Sequence, residues 1–113
     1  MSSADGQPIR VLHVDDEPDF ADLVATYLQR SHDDIRVETA TDAAEGLDAL
    51  AETPVDCIVS DHDMPGMDGL DFLRAVREEH PDLPFILFTG KGNEEIASDA
   101  ISAGVTEYLQ KGT

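Results

Sequence analysis

Short apolar runs in this chain are followed by polar side chains, and one of these side chains stands out. Residues 55–59 form an apolar run that leads into Asp61, and a Pro-Gly loop comes next. An open α/β sheet presents a reactive group in this way, on an acid at the carboxyl end of a strand. The polar residues that follow the other runs are Asp15, Asp16, Thr89 and Lys111.

The three aspartates would repel one another if neighbouring strands brought them together, unless a cation neutralised them. Their oxygen atoms suit a hard divalent cation, and a site with few protein ligands that is open to water favours Mg²⁺ over Ca²⁺. A calcium EF-hand beginning at Asp61 is excluded, because Pro65 and Phe72 occupy loop positions that need acids. With the metal in place, one carboxylate can act as a nucleophile towards phosphorus, while the metal, a lysine and a threonine stabilise the phosphoryl oxygens.

Strand and helix patterns alternate along the chain that must position these side chains. Residues 35–40 alternate between apolar and polar side chains, which is typical of an edge strand with one wet face. The apolar runs typical of buried strands are residues 9–14, 55–59 and 85–88. The other predicted elements are helices around residues 20–28, 43–51, 70–76 and 93–103 and a fifth strand at 105–110. Thr41 or Asp42, and Asp68, are the predicted N-caps, and Pro18 suits a first helical turn.

This alternation predicts an α/β fold, a doubly wound, five-stranded parallel sheet with helices on both faces. The apolar strands belong in the middle and the alternating strand at an edge, which matches the flavodoxin-like order 2-1-3-4-5. In that order the chain changes direction between the first and third strands. We therefore expect the site there, where the carboxyl ends of the central strands meet.

The charge of the chain excludes some partners. Among 113 residues, 25 are acidic and 7 are Lys or Arg, which gives a net charge of −18. Such a field repels nucleic acid and acidic membranes, and acids spread over every helix are typical of a surface adapted to high salt. No apolar run approaches the ~20 residues of a membrane helix, and the N-terminus does not resemble a secretory signal, so we expect a cytoplasmic location.

Taken together, the motifs resemble those of a known family. The chain looks like a receiver domain of a two-component response regulator, similar to the single-domain chemotaxis regulator (CheY-like). The resemblance covers roughly residues 9–111. Its motifs are Asp15-Asp16, Asp61 with Met64-Pro65-Gly66-Met67-Asp68-Gly69, Thr89-Gly90, and Tyr108 with Lys111.

The resemblance implies a role for each acid. Asp61 would be the phosphoacceptor, which takes a phosphoryl group from a histidine kinase or phosphotransfer protein. Mg²⁺ would be bound by Asp16, by Asp61 and by the backbone carbonyl of Asp63, with Asp15 acting through water. The domain would not be a conventional enzyme, since phosphorylation and dephosphorylation of its own aspartate would be self-catalysed.

The resemblance also implies how a signal leaves the site. Lys111 would pair with the phosphoryl group. Thr89 would turn inward on phosphorylation, and Tyr108 would follow it from an exposed to a buried rotamer. One departure is Gly112, where the family usually has a proline that fixes the loop of the lysine.

The predicted domain organisation is a flexible lead-in at residues 1–8 and a receiver domain at residues 9–113. The fifth helix that normally follows the lysine is missing, so apolar side chains of the last three strands would meet water. We therefore expect either a fragment of a longer protein or a unit that self-associates as a homodimer. The expected partner is a downstream sensor, kinase or output domain, with no direct nucleic-acid or membrane contact.

Two alternative functions remain open from the sequence. Asp61-x-Asp63 resembles the nucleophile motif of haloacid-dehalogenase-like phosphatases, although that motif normally belongs to the first strand of the sheet and continues with Thr or Val, whereas here Met64 follows. The other alternative is a receiver that docks to a partner without being phosphorylated. Turnover of a phosphomonoester would identify the first, and the absence of labelling by a phosphodonor would identify the second.

Overall fold

Five strands and four helices alternate along residues 8–90 and 94–110, the part of the chain that the computed structural model describes. The strands are β1 (Ile9–Val14), β2 (Ile35–Ala40), β3 (Cys57–Asp61), β4 (Phe85–Thr89) and β5 (Glu107–Gln110). The helices are α1 (Pro18–Ser31), α2 (Ala43–Glu52), α3 (Gly69–Glu79) and α4 (Glu94–Ser102). No helix in this described part is both long enough and apolar enough to span a membrane.

The strands form one parallel sheet in the order β2-β1-β3-β4-β5, which confirms the predicted topology. β1, β3 and β4 lie in the middle and carry fully buried residues such as Leu12, Ile58 and Phe85. β2 lies at one edge, and its side chains alternate in burial over residues 35–38, as the sequence pattern predicted. Thr39 departs from that pattern, because it is exposed like Glu38. The chain changes direction between β1 and β3, so their carboxyl ends flank the crevice in which such folds bind ligands.

β3 ends later than the sequence pattern indicated. The apolar run suggested residues 55–59, whereas Ser60 and Asp61 continue the strand by pairing with Leu87 and Phe88 of β4. A polar residue can belong to a central strand because its backbone groups are satisfied by both neighbours. The backbone of Asp61 is therefore part of the sheet itself.

Side-chain caps fix the first turns of two helices. The carboxylate of Asp42 accepts a hydrogen bond from the backbone N–H of Glu45 at 2.8 Å, and that of Asp68 accepts from Asp71 at 2.9 Å. Both caps were predicted from the sequence. α1 begins at Pro18, where the missing N–H of proline has no cost, and extends further than the predicted range 20–28.

The main core lies on one face of the sheet, under α2 and α3. Its side chains come from alternate positions of the central strands and from the apolar side of α3, and the rings of Phe72 and Phe85 lie 5.5 Å apart. The fully buried members, each at 0% exposure, are Leu12, Val14, Ile58, Phe72, Leu73, Val76, Phe85, Leu87 and Ala100. This packing fixes β3 and β4 relative to each other, and hence the residues at their ends.

The opposite face is covered less completely. Of the helices in residues 8–90 and 94–110, α1 lies on this side, packed on β1 and β2. The apolar side chains that β3 and β4 direct to this face are only half-buried, and Leu109 of β5 is 39% exposed. The half-buried residues are Cys57, Val59, Ile86 and Phe88.

Candidate functional site

Three carboxylates meet at the carboxyl ends of β1 and β3. Asp15 and Asp16 follow β1, Asp61 is the last residue of β3, and one carboxylate oxygen from each lies within 4.8 Å of the other two. Asp15 is 1% exposed and Asp61 4%, whereas Asp16 is more open to solvent. The structure thus brings together the acids that sequence reasoning singled out, at the predicted end of the sheet.

Backbone hydrogen bonds position two of the acids. The backbone N–H of Asp15 donates to the carbonyl of Ala40 on β2 at 3.0 Å, and Oδ1 of Asp15 accepts from the N–H of Glu17 at 2.9 Å. Oδ1 of Asp61 accepts from the N–H of Asp63 at 3.3 Å. These contacts hold both carboxylates towards the crevice between the first and third strands.

The donor set fits a small divalent cation. All three groups offer oxygen atoms, and three negative charges at this separation and burial repel strongly unless a cation balances them. Asp15, Asp16 and Asp61 are the side chains that could hold such an ion. Asp16 is less buried than the other two acids, so solvent can reach an ion there and supply the water ligands that Mg²⁺ usually retains.

Thr89 ends β4 beside the acids and is fully buried. Its Oγ1 donates a hydrogen bond to Oδ2 of Asp63 at 3.4 Å, and the backbone N–H of Gly90 donates to the same oxygen at 3.4 Å. Sequence reasoning considered the backbone carbonyl of Asp63 as a metal ligand and missed these contacts of its side chain with Thr89 and Gly90. The signal was its position: an acid two residues past the end of one strand lies beside the end of the next.

The roles predicted for two signalling residues, Tyr108 and Lys111, remain predictions. Tyr108 lies on β5 in register with Leu87, half-buried against the core, and its hydroxyl is buried without a hydrogen-bond partner among the described residues. Its change of rotamer stays a prediction. Lys111 lies outside the described residues, so its approach to Asp61 also stays a prediction.

His13 lies beneath the acidic cluster on the same side of β1 as Asp15. It is 1% exposed, and its Nε2 is 3.9 Å from Oδ2 of Asp15. Its ring packs edge-on against the ring of Phe20, with the ring centroids 6.3 Å apart. The strand pattern predicted that His13 is buried. Its closeness to Asp15 follows from the two-residue spacing, which places both side chains on one face of the strand.

Burial shifts the pKa of two other side chains, Cys57 on β3 and Arg77 on α3. Burial raises the pKa of the Cys57 thiol above its ordinary value, and the negative charge of Asp56 raises it further. Burial lowers the pKa of the Arg77 guanidinium, and nearby Asp82 opposes that change. Arg77 donates to the carbonyls of Gly104 and His80, each at 2.9 Å, so it ties α3 to the turn before β5.

Comparison with known proteins decides the family. The family described as "Response regulator receiver domain" matches residues 11–113. The chain belongs to this family. It is also 38% identical over 111 residues, 98% of its length, to the probable transcriptional regulatory protein TcrX of Mycobacterium tuberculosis.

Solved structures agree with the assignment. Chemotaxis protein CheY4 of Vibrio cholerae superposes with a TM-score of 0.87 at 31% identity, over 94% of this chain and 88% of that one. Response regulator protein TrrA of Thermotoga maritima, solved in complex with Mg²⁺-BeF, gives a TM-score of 0.80 at 31% identity, over 92% and 87%. The domain is therefore a CheY-like phosphoacceptor receiver, a signalling domain and not a conventional enzyme.

The curated relatives are longer than this receiver domain. The chain spans 47% of TcrX and 22% of the response regulator protein PilR of Pseudomonas aeruginosa. Receiver domains bind Mg²⁺ at an acidic pocket, and in this receiver domain the matching feature is the cluster of Asp15, Asp16 and Asp61.

Proposed function

We propose that Asp61 accepts the phosphoryl group, and that Mg²⁺ is held by Asp16, Asp61 and the backbone carbonyl of Asp63, with Asp15 acting through water. The observation that carries this proposal is the approach of three carboxylate oxygens to within 4.8 Å of one another where the sheet changes direction. Asp61 is the residue of this cluster that ends a central strand, so the sheet fixes its position beside the other two acids.

The chemistry assigned to Asp61 is a nucleophilic displacement. An oxygen of the ionised carboxylate bonds to phosphorus, and the bond from phosphorus to the donor breaks, with its electron pair leaving on the donor. Mg²⁺, when bound, supplies positive charge to the phosphoryl oxygens. Asp61 needs no general base, because its carboxylate already carries the attacking electron pair. We assign this reaction, and the later loss of the phosphoryl group, to the domain itself.

The remaining residues would stabilise the phosphoryl group on Asp61 or change conformation in response to it. We assign Lys111 to pairing with the phosphoryl group and Thr89 to donating its hydroxyl to a phosphoryl oxygen. Thr89 ends the strand next to Asp61, which supports this role. Tyr108 would respond to Thr89 because it lies one strand further along the sheet. A doubly charged group would then bias a two-state element.

We propose that a histidine kinase or phosphotransfer protein is the phosphodonor. The domain would then pass the signal on to a downstream sensor, kinase or output domain. TcrX is named a transcriptional regulatory protein, and this chain matches less than half of it. The net charge of −18 argues against DNA contact by the receiver itself. Any such activity would therefore belong to another domain of a longer protein.

The two alternatives are less well supported. A haloacid-dehalogenase-like phosphatase normally carries its nucleophile on the first strand of the sheet, whereas Asp61 ends β3. A receiver that only docks has no need for three clustered acids beside a buried threonine. The family membership also favours phosphoryl acceptance over both readings.

Labelling by a small phosphodonor tests the proposal. With acetyl phosphate and Mg²⁺ in molar KCl, the parent protein should take up one labile phosphoryl group, and a chelator should prevent it. Asp61→Asn should abolish labelling, whereas Asp48→Asn, the same change on the exposed side of α2, should not. Labelling of Asp61→Asn equal to that of the parent protein would show that Asp61 is not the acceptor. A folded but unlabelled parent would favour the docking receiver, and turnover of a phosphomonoester would favour the phosphatase.

A further inference from the structure

Two arginines lie side by side near the amino ends of β1 and β2. Arg10 and Arg36 are partners in the register of these parallel strands, so their side chains leave the same face of the sheet. Both side chains are exposed. The acidic cluster begins after the other end of β1, and the rise of a strand puts Asp15 roughly 16 Å along the sheet from Arg10. The two arginines are therefore separate from the proposed phosphorylation site.

Within the described part of the chain, no carboxylate lies at ion-pair distance from the guanidinium of Arg10 or Arg36. This is unexpected in a chain in which 25 of 113 residues are acidic. Arg74 on α3, by contrast, pairs with Asp71 at 3.4 Å. Like charges at opposed positions of neighbouring strands repel each other. A bound anion would therefore relieve a repulsion between the two arginines.

The guanidinium of Arg36 is held in place by the backbone. Its Nη1 donates to the carbonyls of Asp33 and Ile35 at 3.0 Å each. Within residues 8–90 and 94–110, its Nε–H and Nη2 groups donate to no other group, and Arg10 and Arg36 both line an open pocket of about 360 Å³. Because one guanidinium is already fixed, less conformational entropy is lost when a ligand binds to it.

We propose that Arg10 and Arg36 together bind the phosphate group of a small ligand. A guanidinium is a rigid fork of donors that matches the oxygens of a phosphate. A carboxylate has two oxygens, which one guanidinium can occupy, whereas a doubly charged phosphate has enough oxygens to bridge both arginines. This inference does not depend on the phosphorylation of Asp61.

The other walls of the pocket determine how such a ligand is oriented. Gln29 of α1 and Glu38 of β2 also line the pocket. The carboxylate of Glu38 repels a phosphate but accepts hydrogen bonds from hydroxyl groups. The phosphate group therefore belongs at the arginines, and an uncharged part that carries hydroxyl groups belongs near Glu38. A small phosphate ester has this distribution of groups.

NMR titration of the whole chain with inorganic phosphate tests the proposal. Phosphate replaces chloride at about pH 8, where phosphate is doubly charged. The solution is kept near 1 M salt, where the Debye length is ~3 Å and distant acids are screened. A chelator ensures that no metal ion attracts phosphate to the acidic cluster. The backbone amide signals of Val11 and Val37, which line the pocket in every variant, report binding.

The comparison uses a double variant and two controls. Arg10→Gln combined with Arg36→Gln should lower the affinity for phosphate by about tenfold or more, because it removes both forks of donors. Arg74→Gln removes an arginine from α3 and should bind phosphate as the parent does. Asp61→Asn should also bind as the parent does, because it changes the opposite end of the sheet. Circular dichroism confirms that each variant has the fold of the parent.

In the parent protein, phosphate should shift both amide signals to a plateau, and acetate should bind several times more weakly. A parent that shows no saturable shift overturns the proposal, and so does a double variant that binds as tightly as the parent. Acetate that binds as tightly as phosphate overturns the choice of a phosphate group. Loss of binding in Asp61→Asn would place the anion at the acidic cluster and would overturn the site at the arginines.

Discussion

Individual residues in the acidic cluster differ in how firmly they are held. Asp15 is buried and fixed by two backbone hydrogen bonds, and Asp61 is fixed as the last residue of a central strand. Asp16 is more open to solvent. An exposed carboxylate can turn towards an ion and still leave space for water, which suits a direct ligand of Mg²⁺.

This difference predicts unequal effects of mutation on metal binding. Asp16→Ala removes a proposed direct ligand, so Mg²⁺ affinity should fall by about tenfold or more. Asp15→Asn keeps an oxygen that can accept from Glu17, so its loss of affinity should be smaller. Isothermal titration calorimetry with Mg²⁺ compares the two variants with the parent protein. Equal losses in both would contradict the assignment of Asp16 as the direct ligand and Asp15 as one that acts through water.

The sequence predicted the residues of the site better than it predicted their contacts. Strand ends placed Asp15, Asp61 and Thr89 together because parallel strands finish at one edge of a sheet. The hydrogen bond from Thr89 to the carboxylate of Asp63 was not predicted. The direction of a loop side chain depends on the conformation of the turn, which hydrophobic periodicity does not describe. The closeness of His13 to Asp15 needed only the alternation of a strand.

At the scale of elements, the start of α3 fixes the end of β3. A Cβ atom at Gly69 would lie 2.6 Å from the carbonyl oxygen of Asp61 and 2.7 Å from Cα of His62. The helix therefore approaches the strand more closely than any side chain permits. Because of this backbone contact, a movement of α3 would displace Asp61, the residue proposed as the phosphoacceptor.

Substitutions at Gly66, in the loop before α3, and at Gly69, the first residue of α3, should differ in cost. Gly69→Ala forces backbone atoms apart and should lower the free energy of unfolding by about 2–3 kcal/mol. Gly66 has a φ of +77°, but among the described residues other than Gly66 and its two chain neighbours, no heavy atom lies within 4 Å of the place that a Cβ atom would take there. Gly66→Ala should therefore cost about 1–2 kcal/mol, from backbone strain alone. Urea denaturation measures both. A loss for Gly66→Ala as large as that for Gly69→Ala would show that the close approach is not what holds α3.

Element types and order were predictable, whereas some boundaries were not. The edge strand at residues 35–40 and the caps at Asp42 and Asp68 are local signals, and the structure contains all three, although the burial pattern of the strand alternates only as far as Glu38. The end of β3 depends on pairing with β4, which joins residues far apart in sequence. An apolar run therefore indicated the strand correctly but stopped two residues too early.

At the scale of the whole molecule, the charge should make stability depend on salt. With a net charge of −18, like charges repel across the folded surface, and the screening distance grows from ~3 Å at 1 M salt to ~10 Å at 0.1 M. The melting temperature should therefore rise with KCl over this range. Differential scanning calorimetry measures it, with sucrose as an uncharged control. A melting temperature that does not depend on KCl would contradict the prediction of a surface adapted to high salt.

An apolar surface borders the less covered face of the sheet. Leu23 and Tyr27 of α1 are 65% and 69% exposed, and Leu109 of β5 is 39% exposed. Gln29, on the other flank of α1, accepts from the N–H of Val37 on β2. The flank with Leu23 and Tyr27 therefore lies on the side of α1 nearer to β3–β5. Half-buried apolar side chains of β3 and β4 continue the surface there.

This surface should make the isolated chain bind hydrophobic dyes and self-associate as its concentration rises. Replacing Leu23 and Leu109 together by glutamine should reduce both effects, whereas Ile101→Gln on exposed α4 serves as a control of similar size. Dye fluorescence and light scattering over a dilution series measure them. A parent protein that stays monomeric and binds no dye would show that the surface is closed in another way.

The most direct test of the account locates the phosphorylated residue. Borohydride reduces an aspartyl phosphate to homoserine, and mass spectrometry of peptides then identifies the position. After treatment of the parent protein with acetyl phosphate and Mg²⁺, the account predicts homoserine at position 61 and at no other acid, although Asp63 and the acids after β1 lie close by. Homoserine at one of those neighbours, or none in a folded protein, would contradict the assignment of Asp61 as the phosphoacceptor.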